Sequence, residues 1–140
     1  MSQRNNIHKL SVQASTNHLH EVRDFVASYA VKMGFPKEDV DDIRLAVDEA
    51  YTNIIKHAYN YDDSQSVEII LKLNENEFHI SLLDYGKTYD PSSYHEPNLK
   101  QQIKEKKRGG VGVYLMKKLM DKIEYRKRGQ RNEIRMVKKL

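Results

Sequence analysis

Three short stretches carry side chains whose types and spacing could do chemistry together. In Val40 to Tyr59, VDDIRLAVDEAYTNIIKHAY, the residues Glu49, Asn53 and His57 recur at i, i+4 steps. Residues four apart stand one above another on a single helical face. A carboxylate and a carboxamide one turn apart can serve as a general base and an oxygen ligand for Mg²⁺, although a solvated helix face has the same spacing. The second stretch is Asp84-Tyr85-Gly86-Lys87-Thr88-Tyr89-Asp90, a D-x-G-x-x-x-D pattern at the mouth of a predicted strand. A carboxylate there can accept a hydrogen bond from an adenine amino group in an otherwise apolar pocket, and Asp ahead of Gly is also ordinary Asx-turn chemistry. The third is Arg108-Gly109-Gly110-Val111-Gly112. Glycines ahead of a helix let backbone amides approach an anion, and the helix dipole favours phosphate. They also make plain turns. Lys87 and Arg108 could neutralise phosphate or sit in solvent, and His57 has no assigned role.

The elements that must position these residues follow from periodicity. Asn6 to Ala14 alternates and predicts a first strand. Thr16 or Asn17 is the expected N-cap of a helix over His18 to Met33, with Leu19, Val22, Phe25, Val26, Tyr29 and Ala30 on its core face. Gly34 ends that helix, and Phe35-Pro36 starts the central one. There Ile43, Ala46, Val47, Ala50, Ile54 and Ala58 form a core stripe beside the polar seam. The cluster NYDDSQS is a turn. Ser66 to Leu73, then Phe78, Ile80 and Leu82, alternate as a β-hairpin that runs into Asp84. Residues 87–109 lack a strand pattern, and a segment of more than about 20 residues in a small domain suggests a flexible lid or an excursion. Val113 to Lys122 has helical spacing, and Ile123 to Arg128 with Glu133 to Lys139 form a closing hairpin through Gly129. The order β-α-α-β-β-lid-α-β-β gives an α+β two-layer sandwich. A mixed, mainly antiparallel sheet is covered on one face by three main helices.

Composition narrows the classes. The 140 residues fit one domain, 1–140. The mean hydropathy of −0.79 suits a soluble globular protein. No apolar run approaches the roughly 20 residues that span a bilayer. The opening MSQRNNIHKL lacks the apolar core of a secretion signal, so a cytoplasmic location is expected. Absence of cysteine excludes disulfides and thiolate metal sites. The net charge of +4 admits an anionic partner without choosing one. The basic C-terminal third, including Lys122, Arg126, Lys127, Arg128, Arg131 and Arg135, could form a nucleic-acid face. Glu124 and Glu133 interrupt it and aromatics are sparse, so no direct nucleic-acid or membrane partner is expected.

Taken together and in this order, with a lid-length insertion before the last, the three stretches resemble the N box and the two glycine boxes of the Bergerat-fold (GHKL, HATPase_c) ATPases. Within that group, LAVDEAYTNIIKHAY, LLDYGKTYDPSS and RGGVGVYLMKKLMD are similar to the RsbW-like anti-sigma factor serine/threonine kinases. The likeness covers nearly the whole chain. It implies a Bergerat ATP-binding fold with ATP and Mg²⁺ as cofactors and an ATP lid at about 87–109. It implies Asn53 as the Mg²⁺ ligand and Glu49 as catalytic base. Asp84 would bind the adenine amino group, Gly86 would let the base lie close, and Gly110, Val111 and Gly112 would contact phosphates. Many relatives carry a Thr that supports the adenine-binding Asp through a water, and Asn132 occupies that place here.

The resemblance also implies a role. The chain would phosphorylate a Ser or Thr of an anti-anti-sigma (STAS-domain) partner and sequester a sigma factor or analogous target. A homodimer through the N-terminal strand and first helix is compatible with the sequence. The alternative is a nucleotide-binding module that sequesters a partner without kinase activity.

Overall fold

The computed structural model describes residues 6–86 and 109–140, and for 109–113 the backbone alone. Period-two burial makes the strands. β1 (Ile7–Gln13) exposes Ile7, Lys9 and Ser11 and turns His8, Leu10 and Val12 inward. β2 (Ser66–Leu73) buries Val67, Ile69 and Leu71, and β3 (Glu77–Asp84) buries Phe78, Ile80 and Leu82 against the same core. β4 (Lys122–Arg128) and β5 (Arg131–Lys139) are joined through Gly129, whose φ of 63° is left-handed and therefore suits glycine.

The spatial order is β1-β2-β3-β5-β4, and all four pairings are antiparallel. The expected two-layer sandwich is present, but the described sheet is antiparallel throughout rather than mixed. Two of its pairs are tight hairpins, which join only antiparallel strands, and β5 enters beside β3 in the opposite sense. That last pairing sets Asp84 directly across from Asn132.

Among the described residues three helices cover one face. α1 (Leu19–Met33) follows a 3₁₀ turn over Thr16–His18. The capping side chain is Ser15, whose Oγ accepts from the Asn17 N–H at 3.1 Å, rather than Thr16 or Asn17. The 3₁₀ turn takes up those two residues and moves the cap upstream. Gly34, at φ 98°, ends α1. α2 (Lys37–Asn53) starts behind Pro36 and buries Ile43, Ala46, Val47 and Ala50 completely. Each buried Ile or Val of this kind contributes about 1.5–3 kcal/mol relative to exposure. α3 (Gly109–Leu119) packs beside α2, as α1 does on the other side. α3 begins four residues before the expected Val113 and stops before Lys122, which opens β4. Its last carbonyl, that of Leu119, accepts from Lys138 Nζ at 2.6 Å, a cationic cap at the negative end of the helix. The lid expected over 87–109 lies outside the described residues except for Gly109, which is helical.

α2 is held in register from both sides. The Tyr51 hydroxyl, fully buried, donates to the Ser15 carbonyl at 2.6 Å and so ties α2 to the segment leaving β1. Arg23 of α1 lies 3.5 Å from Asp48 of α2. Among the described residues no helix is long and apolar enough to cross a membrane.

Candidate nucleotide site

The central helix does not continue as a regular α-helix to Tyr59. It ends at Asn53, and Ile54–Ala58 forms one π-helical turn. There the Tyr59 N–H reaches back five residues to the Ile54 carbonyl at 3.0 Å, and the Tyr61 N–H bonds the Ile55 carbonyl at 2.8 Å. His57 lies within this turn and is exposed. Asn60 (φ 49°) and Tyr61 (φ 64°) follow in the left-handed region, which costs about 1–2 kcal/mol for a residue with a Cβ. π turns concentrate at functional sites, and this one separates the two halves of the candidate site.

On one side of it, α2 sets Glu49 and Asn53 a single turn apart. Glu49 is half-buried, and Asn53 is buried at 7% exposure. No hydrogen bond ties the Asn53 carboxamide to a described residue. Among the described residues no three His, Asp or Glu side chains converge as a metal site. A single amide oxygen suits Mg²⁺, which keeps waters and takes further ligands from substrate phosphates.

On the other side lies Asp84, at the end of β3 and only 3% exposed. Its Oδ1 accepts from the Gly86 N–H at 2.9 Å and from Asn132 Nδ2 at 2.9 Å. The same Nδ2 reaches the Gly86 carbonyl at 3.1 Å. Asn132 therefore touches Asp84 directly, without the intervening water expected for a Thr. The register of β3 on β5 places them opposite each other, and the longer amide spans the gap. Oδ2 accepts no hydrogen bond from the described residues. Burial pushes the Asp84 carboxyl above the usual range, against the pull of the Asn132 and Gly86 hydrogen bonds. Removing one of those donors should raise it further. For Asn132→Ala we expect adenine-nucleotide affinity to fall about tenfold at neutral pH. The acid limb of binding should move to higher pH, as read by calorimetry across a pH series.

Gly86 joins the halves. A Cβ built on it would stand 2.6 Å from the Ala58 carbonyl carbon and 2.7 Å from Tyr59 Cδ1. Real side-chain atoms do not approach backbone so closely, so only glycine lets the turn after β3 lie against the π turn after Asn53. Tyr59, not singled out in the sequence, completes the junction. Its hydroxyl accepts from the Tyr85 N–H at 2.8 Å and donates to the Ser66 carbonyl at 2.6 Å. Nothing in the spacing of Tyr59 reports this, because the contact depends on where β3 ends.

Of the residues expected from sequence, Asp84, Gly86 and Asn132 meet in direct contact, and Glu49 and Asn53 share the helix whose following turn Gly86 packs against. Gly110, Val111 and Gly112 fall in the first turn of α3, within the helix rather than ahead of it. Lys87, Arg108 and the rest of the lid lie outside the described residues.

The comparisons with known proteins agree with this architecture. A family model described as a histidine kinase-like ATPase domain matches residues 12–138. The serine-protein kinase RsbW of Halalkalibacterium halodurans is 32% identical over 120 residues, covering 83% of this chain and 73% of that one. The protein of the same name from Bacillus cereus is 29% identical, over 83% and 74% of the two chains. Among solved structures, the SiaB–SiaC complex from Pseudomonas aeruginosa superposes with a TM-score of 0.64 at 15% identity, covering 98% of this chain and 91% of that one. The RsbU and RsbW domains of a Mycobacterium tuberculosis protein give 0.60 at 16% identity, over 94% of this chain and 32% of that longer one. At such identities the two structures speak for the fold alone.

Proposed function

The chain belongs to the histidine kinase-like ATPase family, and from that premise we propose that it is an ATP-dependent protein serine/threonine kinase of a partner-switching pathway. It phosphorylates an anti-anti-sigma (STAS-domain) protein and sequesters a sigma factor or analogous target. Residues 1–140 work as one ATP-binding kinase unit with a lid at about 87–109. The observation that carries the reading is the buried Asp84 carboxylate, braced by Gly86 and Asn132 and pressed through Gly86 against the turn that follows Asn53.

In this reading Asp84 Oδ2 accepts from the adenine 6-amino group, and Gly86 lets the base lie close. Asn53 offers its amide oxygen to Mg²⁺, which when bound neutralises charge on the phosphates. Gly110, Val111 and Gly112 offer main-chain N–H groups of the first turn of α3, where the helix dipole favours anions. Glu49 accepts the proton of the incoming Ser or Thr hydroxyl as its oxygen bonds the γ-phosphorus and the bond to ADP breaks. Phosphorylation adds nearly two negative charges to the partner, which weakens its complex and frees this chain for the second target.

A homodimer through β1 and α1 belongs to the same reading, and so does a cytoplasmic setting. Nucleic acid does not. Three arginines of the basic C-terminal third are paired with carboxylates: Arg126 with Glu124 (3.1 Å), Arg128 with Glu133 (3.1 Å) and Arg131 with Glu68 (3.1 Å). The test is incubation with γ-labelled ATP, Mg²⁺ and a STAS-domain protein. Label on a partner Ser or Thr is expected. ATP binding with no transfer to any STAS partner would instead favour a sequestering module without kinase activity.

A further inference from the structure

We infer that Tyr59 is a positioning residue for base recognition: its hydroxyl, bridging the Tyr85 N–H and the Ser66 carbonyl, fixes the Asp84-Tyr85-Gly86 turn so that the Asp84 carboxylate meets the purine 6-amino group. The inference rests on the reading of Asp84 as the adenine acceptor. Three observations support it. The hydroxyl holds a donor and an acceptor at 2.8 and 2.6 Å, so it uses both of its hydrogen-bonding capacities on backbone. Those two backbone groups belong to different strands, one leaving β3 and one opening β2. The ring of Tyr59 lies against Gly86, and the Asn132 amide bonds both the Asp84 carboxylate and the Gly86 carbonyl.

The turn is therefore gripped between two arms. Asn132 holds it from the sheet, and Tyr59 holds it from the helical layer. Tyr59 directly follows the π turn that begins one residue after Asn53, so the same grip sets the distance between the proposed metal-side amide and the base-side carboxylate. Loss of the hydroxyl frees the Tyr85 amide and the Ser66 carbonyl while the ring still fills its place. The carboxylate then keeps its chemistry and loses its aim. A residue that merely supported the fold would lower stability and leave the choice among purines unchanged.

The test compares ATP with purine riboside triphosphate, which lacks the 6-amino group, by calorimetry on wild type, Asp84→Asn and Tyr59→Phe. Wild type should prefer ATP, and Asp84→Asn, which turns an amide N–H₂ toward the 6-position, should erase or reverse the preference. Tyr59→Phe should lower the ratio of affinities about tenfold, with affinity for the amino-less analogue changed much less. Should wild type and Asp84→Asn behave as stated while Tyr59→Phe retains the wild-type ratio, the positioning role is overturned and the adenine reading stands. If wild type itself shows no preference, the adenine reading of Asp84 fails and the inference goes with it. Amide exchange on the wild-type protein needs no variant and covers the case in which Tyr59→Phe does not fold. The Tyr85 N–H should exchange as slowly as the paired amides of β3, and exchange at the rate of an open loop refutes the clamp.

Discussion

Glu49→Ala is expected to lower phosphotransfer to the partner by about 10²–10⁴-fold, the usual contribution of a positioned general base. That corresponds to roughly 3–5 kcal/mol of transition-state stabilisation. ATP affinity should change little, because the nucleotide contacts assigned above belong to Asn53, Asp84 and the glycines. The structure supports this separation. Glu49 is half-buried on a helix fixed by Tyr51 and by the fully buried stripe from Ile43 to Ala50. No hydrogen bond or ion pair ties its carboxylate to a described residue. A fall in kcat with KM for ATP unchanged marks an interaction made only in the transition state. Glu49→Gln, which keeps shape and removes basicity, should match Glu49→Ala. Full transfer by either variant, measured under single-turnover conditions with labelled ATP, removes Glu49 from the base role.

The parts of this site that could be read from sequence are those set by local periodicity. The alternation of Val67, Ile69 and Leu71 with their polar neighbours defines a half-buried strand wherever it occurs, and the β2–β3 hairpin follows. The same holds for the core stripe of α2 and for the carboxylate at the end of β3. What was not legible depends on contacts between distant segments. An uninterrupted i, i+4 seam from Glu49 to His57 is what the sequence predicts, whereas the chain widens into a π turn at Ile54. Nothing in IIKHA specifies that turn; it accompanies the close approach of the Ala58 carbonyl to Gly86. Ser15, Thr16 and Asn17 are all good caps, and only the 3₁₀ turn decides among them. Gly109 to Gly112 read as lying ahead of the helix because glycine is a poor helix former, yet the packing of α3 beside α2 accompanies a helix that includes them. The direct Asp84–Asn132 contact needed the β3–β5 register, which pairs residues 48 apart.

Asp84→Asn should move stability and binding in opposite directions. The folded carboxyl is raised above its ordinary value, first by burial. A raised acid contributes stability that is fully present below the unfolded pKa, near 3.8, and is lost as pH rises through the folded one. At neutral pH, well above the unfolded value, the raised Asp84 carboxyl is therefore a net burden on the free protein. The uncharged amide removes that burden, and its oxygen can still accept from Gly86 N–H and Asn132 Nδ2, both 2.9 Å from Oδ1 in the native protein. Melting temperature at pH 7 should rise, and the gain should shrink toward zero as pH approaches 3.8. Binding suffers for the same geometric reason. With its oxygen committed to those two donors, the amide turns its N–H₂ outward, where the carboxylate presented an acceptor. Two amino groups then face each other, and ATP affinity should fall by at least about 10²-fold. A 6-oxo purine triphosphate such as ITP should lose far less, since its carbonyl can accept from the new donor. Calorimetry with ATP and ITP beside thermal melts at pH 4 and pH 7 reads both effects. A variant that binds ATP as well as the native chain would show that the adenine pocket lies elsewhere, and one that melts lower at pH 7 than the native chain would show that the buried carboxyl is not a burden on the fold.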